Sequence, residues 1–229
     1  MAIAILLVVA IAGIAALVLV PRDRTVEPSV LSPEREHTPA FAFAVTHTGA
    51  LPTAELKARK PVRTNPVLKL RGASKLASTR VIASVTRLYR DAFLDPANWR
   101  AGTYGSLLAA FAPAAKTQAR NEVRVMTAGG GAGDVYAAIS PRPSTIATTV
   151  LLDRSGRPAI VLASARFGAL GRTIAGTSNT RFDSAGRFFF ERTGSGWRIV
   201  SFDVRRHDRP VDKRSAGSSV GPSPTEAAT

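Results

Sequence analysis

The sequence predicts an α+β fold in which helices come first and an antiparallel sheet follows. Between Val81 and Phe93, apolar residues recur at intervals of three and four, which is typical of a helix with one buried face. After the glycines at 129–131, β-branched and aromatic residues form runs separated by short turns, which is typical of strands. Helices packed on one face of such a sheet make a common two-layer arrangement.

The first twenty residues carry no charged side chain, and Pro21 ends the run. Twelve of them are Ile, Leu or Val, and a helix of this length can cross a bilayer core of about 30 Å. Residues 1–20 are therefore predicted to be a transmembrane anchor. A cleaved signal peptide is the alternative, but no basic residue precedes the apolar run and no small-x-small site follows it. An uncleaved anchor is favoured.

Residues 21–74 are predicted to be a Pro-rich, basic linker. Seven prolines would interrupt any helix in this segment, and the apolar residues between them show no regular helical or strand spacing. The linker could hold a domain away from the bilayer and touch lipid phosphates through its basic residues. An ordinary solvated spacer is the alternative function.

Composition excludes several kinds of site. The chain has no Cys, so disulfides, thiol catalysis and zinc–thiolate sites are excluded together. The net charge of +15 favours contact with anionic partners. An Arg-rich, Ala-rich composition is also typical of GC-rich genomes, so the charge by itself defines no site.

The folded domain is predicted to span residues 75–207 and to begin with three helical segments. The first helix ends at Leu94, where Asp95 can cap a new helix and Pro96 suits its first position. A second segment runs from about Tyr104 to Ala112, and a third begins at Pro113. The buried face of the first helix is predicted to contain Val81, Val85, Leu88, Tyr89 and Phe93.

The strands are predicted at residues 135–140, 144–153, 158–168, 178–192 and 197–204. Gly194 and Gly196 turn the chain between the last two, which makes that pair the clearest hairpin. Simple alternation would place Ile199 and Asp203 on one face of the last strand and Phe202 on the other. Because both faces are largely apolar, the strand is predicted to be covered on both sides. Residues 208–229 are predicted to be disordered.

This pattern of three helices followed by long strands and an aromatic hairpin resembles the nuclear-transport-factor-two-like superfamily, also called the cystatin-like cone. The resemblance covers about 130 residues of the chain, from residue 75 to residue 206. The residues that carry it are Val85–Pro96, Phe111–Ala115, Val150–Pro158 and Phe188–Val204. It implies a curved sheet wrapped around the first helix.

The chain resembles in particular the membrane-anchored actinobacterial members of that superfamily, such as the mammalian-cell-entry-associated proteins. That resemblance implies a single-pass protein of the cell membrane whose C-terminal domain lies outside the cytoplasm. Arg22 and Arg24 favour the opposite orientation by the positive-inside rule, although the charge bias is small.

The resemblance also implies where acid–base residues would lie, because enzymes of this superfamily hold them inside the cone. His37 and His47 fall in the linker and His207 follows the last strand, so Asp203 is the best single candidate. A lone inward Asp among many arginines is more often paired than catalytic. We therefore predict no catalytic, cofactor-binding or metal-binding residue. The candidate pocket-lining residues are Tyr89, Trp99, Phe188, Trp197 and Asp203.

Two other kinds of site are disfavoured. The glycines at 129–133 lack the Gly-Lys-Ser/Thr ending of a phosphate loop. Arginines interleave with Phe188–Phe190, as in proteins that stack bases, but no RNA-recognition signature is present. Nucleic acid is therefore an unlikely partner.

The sequence predicts a single-pass, membrane-anchored, non-catalytic accessory or scaffold domain. It would bind a partner protein or a hydrophobic ligand in a bacterial envelope assembly. One alternative is a subunit of a conjugation or type IV secretion channel. The other is a small-molecule isomerase or dehydratase of the same fold that uses Asp203 or Asp91.

Overall fold

The computed structural model describes residues 37–52, 70–176 and 178–211. The predicted anchor at 1–20 lies outside these residues, as do residues 212–229 of the predicted disordered tail, so neither prediction is tested. Within the described ranges, no helix is long and apolar enough to cross a membrane.

The helical layer is formed by one long helix and several short segments. Helix α1 is Gly72–Tyr89, and it continues directly into a π-helical turn at Arg90–Leu94. The segments that follow are α2 (Pro96–Ala101), a 3-10 helix (Gly105–Ala110), α3 (Pro113–Asn121), α4 (Val123–Met126) and α5 (Ala132–Val135). All three predicted helical segments are thereby confirmed.

Five strands form one sheet in the order β1-β2-β3-β4-β5. Strands β2 to β5 pair antiparallel, as predicted, whereas β1 pairs parallel with β2. The two strands predicted at 135–140 and 144–153 are one strand with a register shift near Pro143. The strands are β1 (Ala44–Pro52), β2 (Tyr136–Leu152), β3 (Pro158–Thr173), β4 (Asn179–Thr193) and β5 (Gly196–Val211).

Strand β1 corrects two predictions. It lies inside the segment predicted as linker, and its parallel pairing departs from a purely antiparallel sheet. Phe43 and Ala50 are buried with the rest of the core, so the folded domain begins before residue 75. The linker prediction was wrong here because it took every proline as a sign of irregular chain. Pro52 instead ends an edge strand, where the missing N–H of proline is tolerated.

One face of the sheet is packed against α1. The predicted buried face of that helix is confirmed, since each of its five predicted residues is 4% exposed or less. Tyr89, Phe93 and Phe167 form an aromatic cluster, with Phe167 4.9 Å from each of the other two rings. Ser78 Oγ and Thr148 Oγ1 lie 2.6 Å apart and join α1 to β2 by a buried hydrogen bond.

The break after α1 also follows the prediction. The Asp95 carboxylate accepts a hydrogen bond of 3.0 Å from the Ala97 N–H, and Pro96 occupies the first position of α2. Asp95 therefore caps α2, because its side chain satisfies one of the N–H groups that have no partner within the helix.

A β-bulge in β5 corrects the predicted faces of the last strand. Ile199 and Ser201 pair with the consecutive residues Phe190 and Phe189 of β4, which leaves Val200 as an extra residue. The alternation therefore changes phase at Val200. Ile199 and Phe202 are both buried, whereas Asp203 lies on the opposite face.

The outer face of β5 is exposed, so the prediction that this strand is covered on both sides is wrong within the described residues. The side chain of Asp203 is 43% exposed and that of Arg205 is 78% exposed. Residues 208–211, predicted as disordered, continue the same strand.

Candidate functional site

The face of the sheet that points away from α1 carries two adjoining grooves of about 580 Å³ each. They share Thr145, Arg166, Ala185 and Arg205, so we treat them as one outer groove. Small side chains form its floor and arginines form its walls. The charged residues that line it are Arg142, Arg166, Arg181, Arg187, Arg205, Asp183 and Asp203, and His207 lies among them.

The strand register explains how these side chains meet. Arg166 of β3 pairs with Ala185 of β4, which pairs with Arg205 of β5. The next row runs Ser164, Arg187, Asp203 across the same strands. Because residues paired across strands have side chains on the same face, both rows point into the outer groove.

Asp203 is held by arginines on both sides. Arg187 Nη2 donates a hydrogen bond of 2.8 Å to Asp203 Oδ2, and Arg205 Nε lies 3.8 Å from Asp203 Oδ1. The hydrogen bond from Arg187 lowers the pKa of the Asp203 carboxyl, and it outweighs the opposing effect of desolvation. Asp203 is therefore an ionised partner of arginines, which is unlike a carboxyl poised to take or give a proton.

Asp183 is held in the same way further along the groove. Desolvation raises its pKa, but hydrogen bonds from Arg209 at 2.6 Å and Arg181 at 3.0 Å outweigh desolvation, so the net pKa is lowered. Both groove aspartates are therefore ionised and paired with arginines.

We expect replacement of Arg187 by Gln to raise the pKa of Asp203 towards its ordinary value, because the variant removes the largest cause of the lowering. Since the pKa is lower in the folded than in the unfolded chain, this pair stabilises the fold above the unfolded-state pKa. That stabilisation is lost as the pH falls through the folded-state pKa. Carboxyl ¹³C NMR titration measures the shift; Arg120→Gln, on α3, is the control. An unchanged Asp203 titration in Arg187→Gln would contradict the assignment.

The structure does not bring the five predicted pocket-lining residues together. Tyr89, Trp99 and Phe188 are at most 2% exposed and belong to the core. Trp197 is half-buried and lines a separate groove of about 330 Å³ beside α1. Asp203 lies in the outer groove. No cavity of the described residues is lined by all five. That they bind one ligand together stays a prediction.

Tyr89 has a buried polar neighbour instead of a carboxylate. Its hydroxyl lies 3.3 Å from Ser184 Oγ, and burial raises its pKa to about 12, with the hydrogen bond to Ser184 acting in the opposite direction. Such a phenol stays neutral and serves to satisfy a polar group inside the core.

Asp91, the other predicted acid–base candidate, pairs with its neighbour Arg90 at 3.1 Å. Within residues 37–52, 70–176 and 178–211, no Asp or Glu is among the buried residues. Over the same ranges, no group of His, Asp and Glu has the spacing to hold a metal ion.

Sequence reasoning missed the outer groove because it placed Asp203 with Ile199. The arginines themselves can be read from the sequence: Arg181, Arg187 and Arg192 in β4, and Arg198, Arg205, Arg206 and Arg209 in β5. The bulge at Val200 was not visible, and it decides which of them share a face with Asp203.

No protein-family model and no curated protein matches this sequence. A search of solved structures finds two chains that are similar to this one. One is a hexachlorocyclohexane dehydrochlorinase, LinA type 2, which is 13% identical with a TM-score of 0.35; the match covers 61% of this chain and 95% of that one. The other is the LinA-type3 enzyme from Novosphingobium barchaimii LL02, 15% identical with a TM-score of 0.36, covering 66% and 100%. At this low similarity, the dehydrochlorinase activity is a property of those two proteins and is not assigned to this chain.

The architecture, helices on one face of a curved five-stranded sheet, agrees with the nuclear-transport-factor-two-like resemblance at the level of fold. The closer resemblance to membrane-anchored, mammalian-cell-entry-associated proteins finds no support in these comparisons. The described residues therefore form an α+β domain, with helices on one face of a five-stranded sheet.

Proposed function

We propose that this chain is a membrane-anchored, non-catalytic docking domain of a bacterial envelope assembly. It would present the outer groove of its sheet to a partner protein. The observation that carries the proposal is the contrast between the two faces of the sheet. Aromatic side chains fill the inner face, while the outer face is open and lined by exposed arginines.

The filled interior argues against a hydrophobic ligand held inside the cone. Phe182, Phe188 and Phe190 are fully buried on β4, and each points towards the helical layer. A ligand would have to displace these fully buried rings, and close-packed protein interiors resist such displacement. A docking function needs no interior space.

The anchoring part of the proposal depends on the uncharged run at residues 1–20. An anchor at that position would tether the docking domain to the bilayer. We place the domain outside the cytoplasm, as the resemblance to membrane-anchored actinobacterial proteins implies.

The two alternatives predict different behaviour. A subunit of a conjugation or type IV secretion channel would self-associate and would be captured with a secretion ATPase. An isomerase or dehydratase would need Asp203 or Asp91 to act as a base. Arg187 lowers the pKa of the Asp203 carboxyl, and Asp91 is paired with Arg90. Neither carboxyl is buried, so the geometry gives this alternative less weight than the docking function.

A photo-crosslinking amino acid placed at Ser164 tests the docking proposal in the full chain, in its native membrane. Ser164 is exposed in the outer groove. Thr117 on α3 is exposed away from the groove and serves as the matched control. After irradiation, mass spectrometry identifies the proteins and lipids captured at each position.

We expect position 164, and not position 117, to capture one envelope protein reproducibly. Capture of the same proteins at both positions would contradict a docking face. Recovery of a small molecule alone from position 164 would also contradict it and would favour the enzyme alternative.

A further inference from the structure

We propose that the middle of the outer groove is a carboxylate-binding site that takes an acidic peptide segment of the partner protein. The inference rests on the proposed docking function and names the chemistry of the partner. It is carried by the arrangement of three arginines around a small-residue floor.

Two of these arginines lie on opposite sides of an alanine. Arg166 and Arg205 both pair with Ala185, so their backbones are separated by two strand spacings, about 10 Å. Ala185 contributes only a methyl group between them, which leaves a shallow gap with a guanidinium on each side. The long side chains can converge on a group that enters this gap.

These guanidinium groups have hydrogen-bonding capacity to spare. The Arg166 side chain is exposed, and it makes no hydrogen bond or ion pair with the side chains or backbone of the described residues. Arg205 lies 3.8 Å from Asp203, beyond hydrogen-bonding distance. Arg187 uses one of its N–H donors in the hydrogen bond to Asp203. A guanidinium carries five N–H donors, and its planar shape matches the two oxygens of a carboxylate.

The charge balance selects an anionic occupant and makes a second copy of this chain a poor one. Five arginines face two aspartates along the groove, and the whole chain has a net charge of +15. Two copies of this face would repel each other.

The two groove aspartates favour separate carboxylates over a continuous polyanion. Asp183 and Asp203 interrupt the positive surface on β4 and β5. A phosphate chain would have to pass beside them, whereas the acidic side chains of a peptide can be spaced to avoid them.

Apolar side chains border the arginines at one end of the groove. Leu162 of β3 pairs with Phe189 of β4, on the same face as Arg187, and Phe189 is 36% exposed. A peptide can place an apolar side chain on this pair while its acidic side chains reach the arginines. A lipid headgroup layer offers no such fixed spacing, so we commit to a peptide.

Fluorescence anisotropy with the full chain in a zwitterionic detergent tests the inference. The probe is a fluorescein-labelled peptide of alternating Glu and Ala, and its counterpart with Gln in place of Glu is the control peptide. The test variant is Arg166→Gln with Arg205→Gln. The control variant is Arg120→Gln with Arg154→Gln, which removes two exposed arginines, on α3 and on the β2–β3 turn, and changes the net charge equally.

We expect the groove variant to bind the Glu peptide about tenfold more weakly or worse, because two charge-assisted contacts are lost. The control variant is expected to change the affinity by less than about twofold, as screened surface charges do. Equal weakening by both variants, or equal binding of the Gln peptide, would overturn the carboxylate site.

Two further probes cover the other anionic occupants. Vesicles of phosphatidylglycerol in phosphatidylcholine test a lipid surface, and oligo-dT tests a nucleic acid. If binding of the vesicles or of oligo-dT depends on Arg166 and Arg205 while the Glu peptide does not bind, the inference is wrong. If position 164 captures a protein but the Glu peptide does not bind, the docking function is supported. Only the inference of an acidic partner is then wrong.

Discussion

Replacement of Phe93 by Ala is expected to lower the free energy of unfolding by about 3–5 kcal/mol, the largest single effect we predict. Phe93 is fully buried in the turn that follows α1. Its ring lies 4.9 Å from that of Phe167 and 6.1 Å from that of Phe182, so it joins the helical layer to β3 and β4. Truncation leaves a cavity between these layers as well as losing the transfer free energy of the ring. Urea unfolding followed by tryptophan fluorescence measures the loss.

Phe189→Ala provides the matched control. Phe189 is also a phenylalanine of the folded domain, but it lies on the outer face of β4 and is 36% exposed. We expect its truncation to cost less than about 1 kcal/mol, because part of the ring already contacts water. Similar losses for the two variants would show that the two faces of the sheet are not as different as described.

The part of the fold that could be predicted is the part that local patterns determine. Val81, Val85 and Leu88 recur at helical spacing, and burial of one helix face follows from that spacing alone. Asp95 is a residue that caps helices and Pro96 one that suits the first helical position, so the start of a new helix could also be predicted. Neither inference needs a contact between distant residues.

Strand β1 could not be predicted from such patterns, because it is defined by a partner far along the chain. Its residues pair with β2 about one hundred positions later, in parallel register from Ala44 with Thr145 to Pro52 with Leu152. No turn signal links the two strands. The surrounding prolines gave the segment the composition of a linker, and tertiary pairing overrode that composition.

The outer groove could be predicted only in part, for a related reason. The arginines of β4 and β5 indicate a basic stretch of the sequence, but the face to which Asp203 belongs depends on the extra residue at Val200. A one-residue shift moves every following side chain to the opposite face of the sheet. The bulge therefore converts a predicted interior aspartate into an exposed partner of Arg187.

Replacement of Gly186 by Ala is expected to destabilise the fold by about 1–3 kcal/mol, as overpacking of a filled core does. A methyl group at this position of β4 would lie 2.6 Å from Phe188 Cε2 and 2.8 Å from Tyr89 Oη. Both neighbours are buried, so relief requires the ring of Phe188 or the hydroxyl of Tyr89 to move. Movement of Tyr89 would also disturb its hydrogen bond with Ser184.

Gly168→Ala separates this steric effect from the general effect of adding a methyl group to a buried strand glycine. At Gly168 of β3, the nearest atom to an added methyl group is Arg142 Cβ at 3.4 Å, an ordinary contact. Alanine there restricts the unfolded chain without a clash, so we expect a change between zero and a gain of about 1 kcal/mol. Urea unfolding of both variants gives the comparison. If Gly186→Ala proved as stable as Gly168→Ala, the aromatic packing inside the cone would have to be looser than described, and the interior would again be available to a ligand.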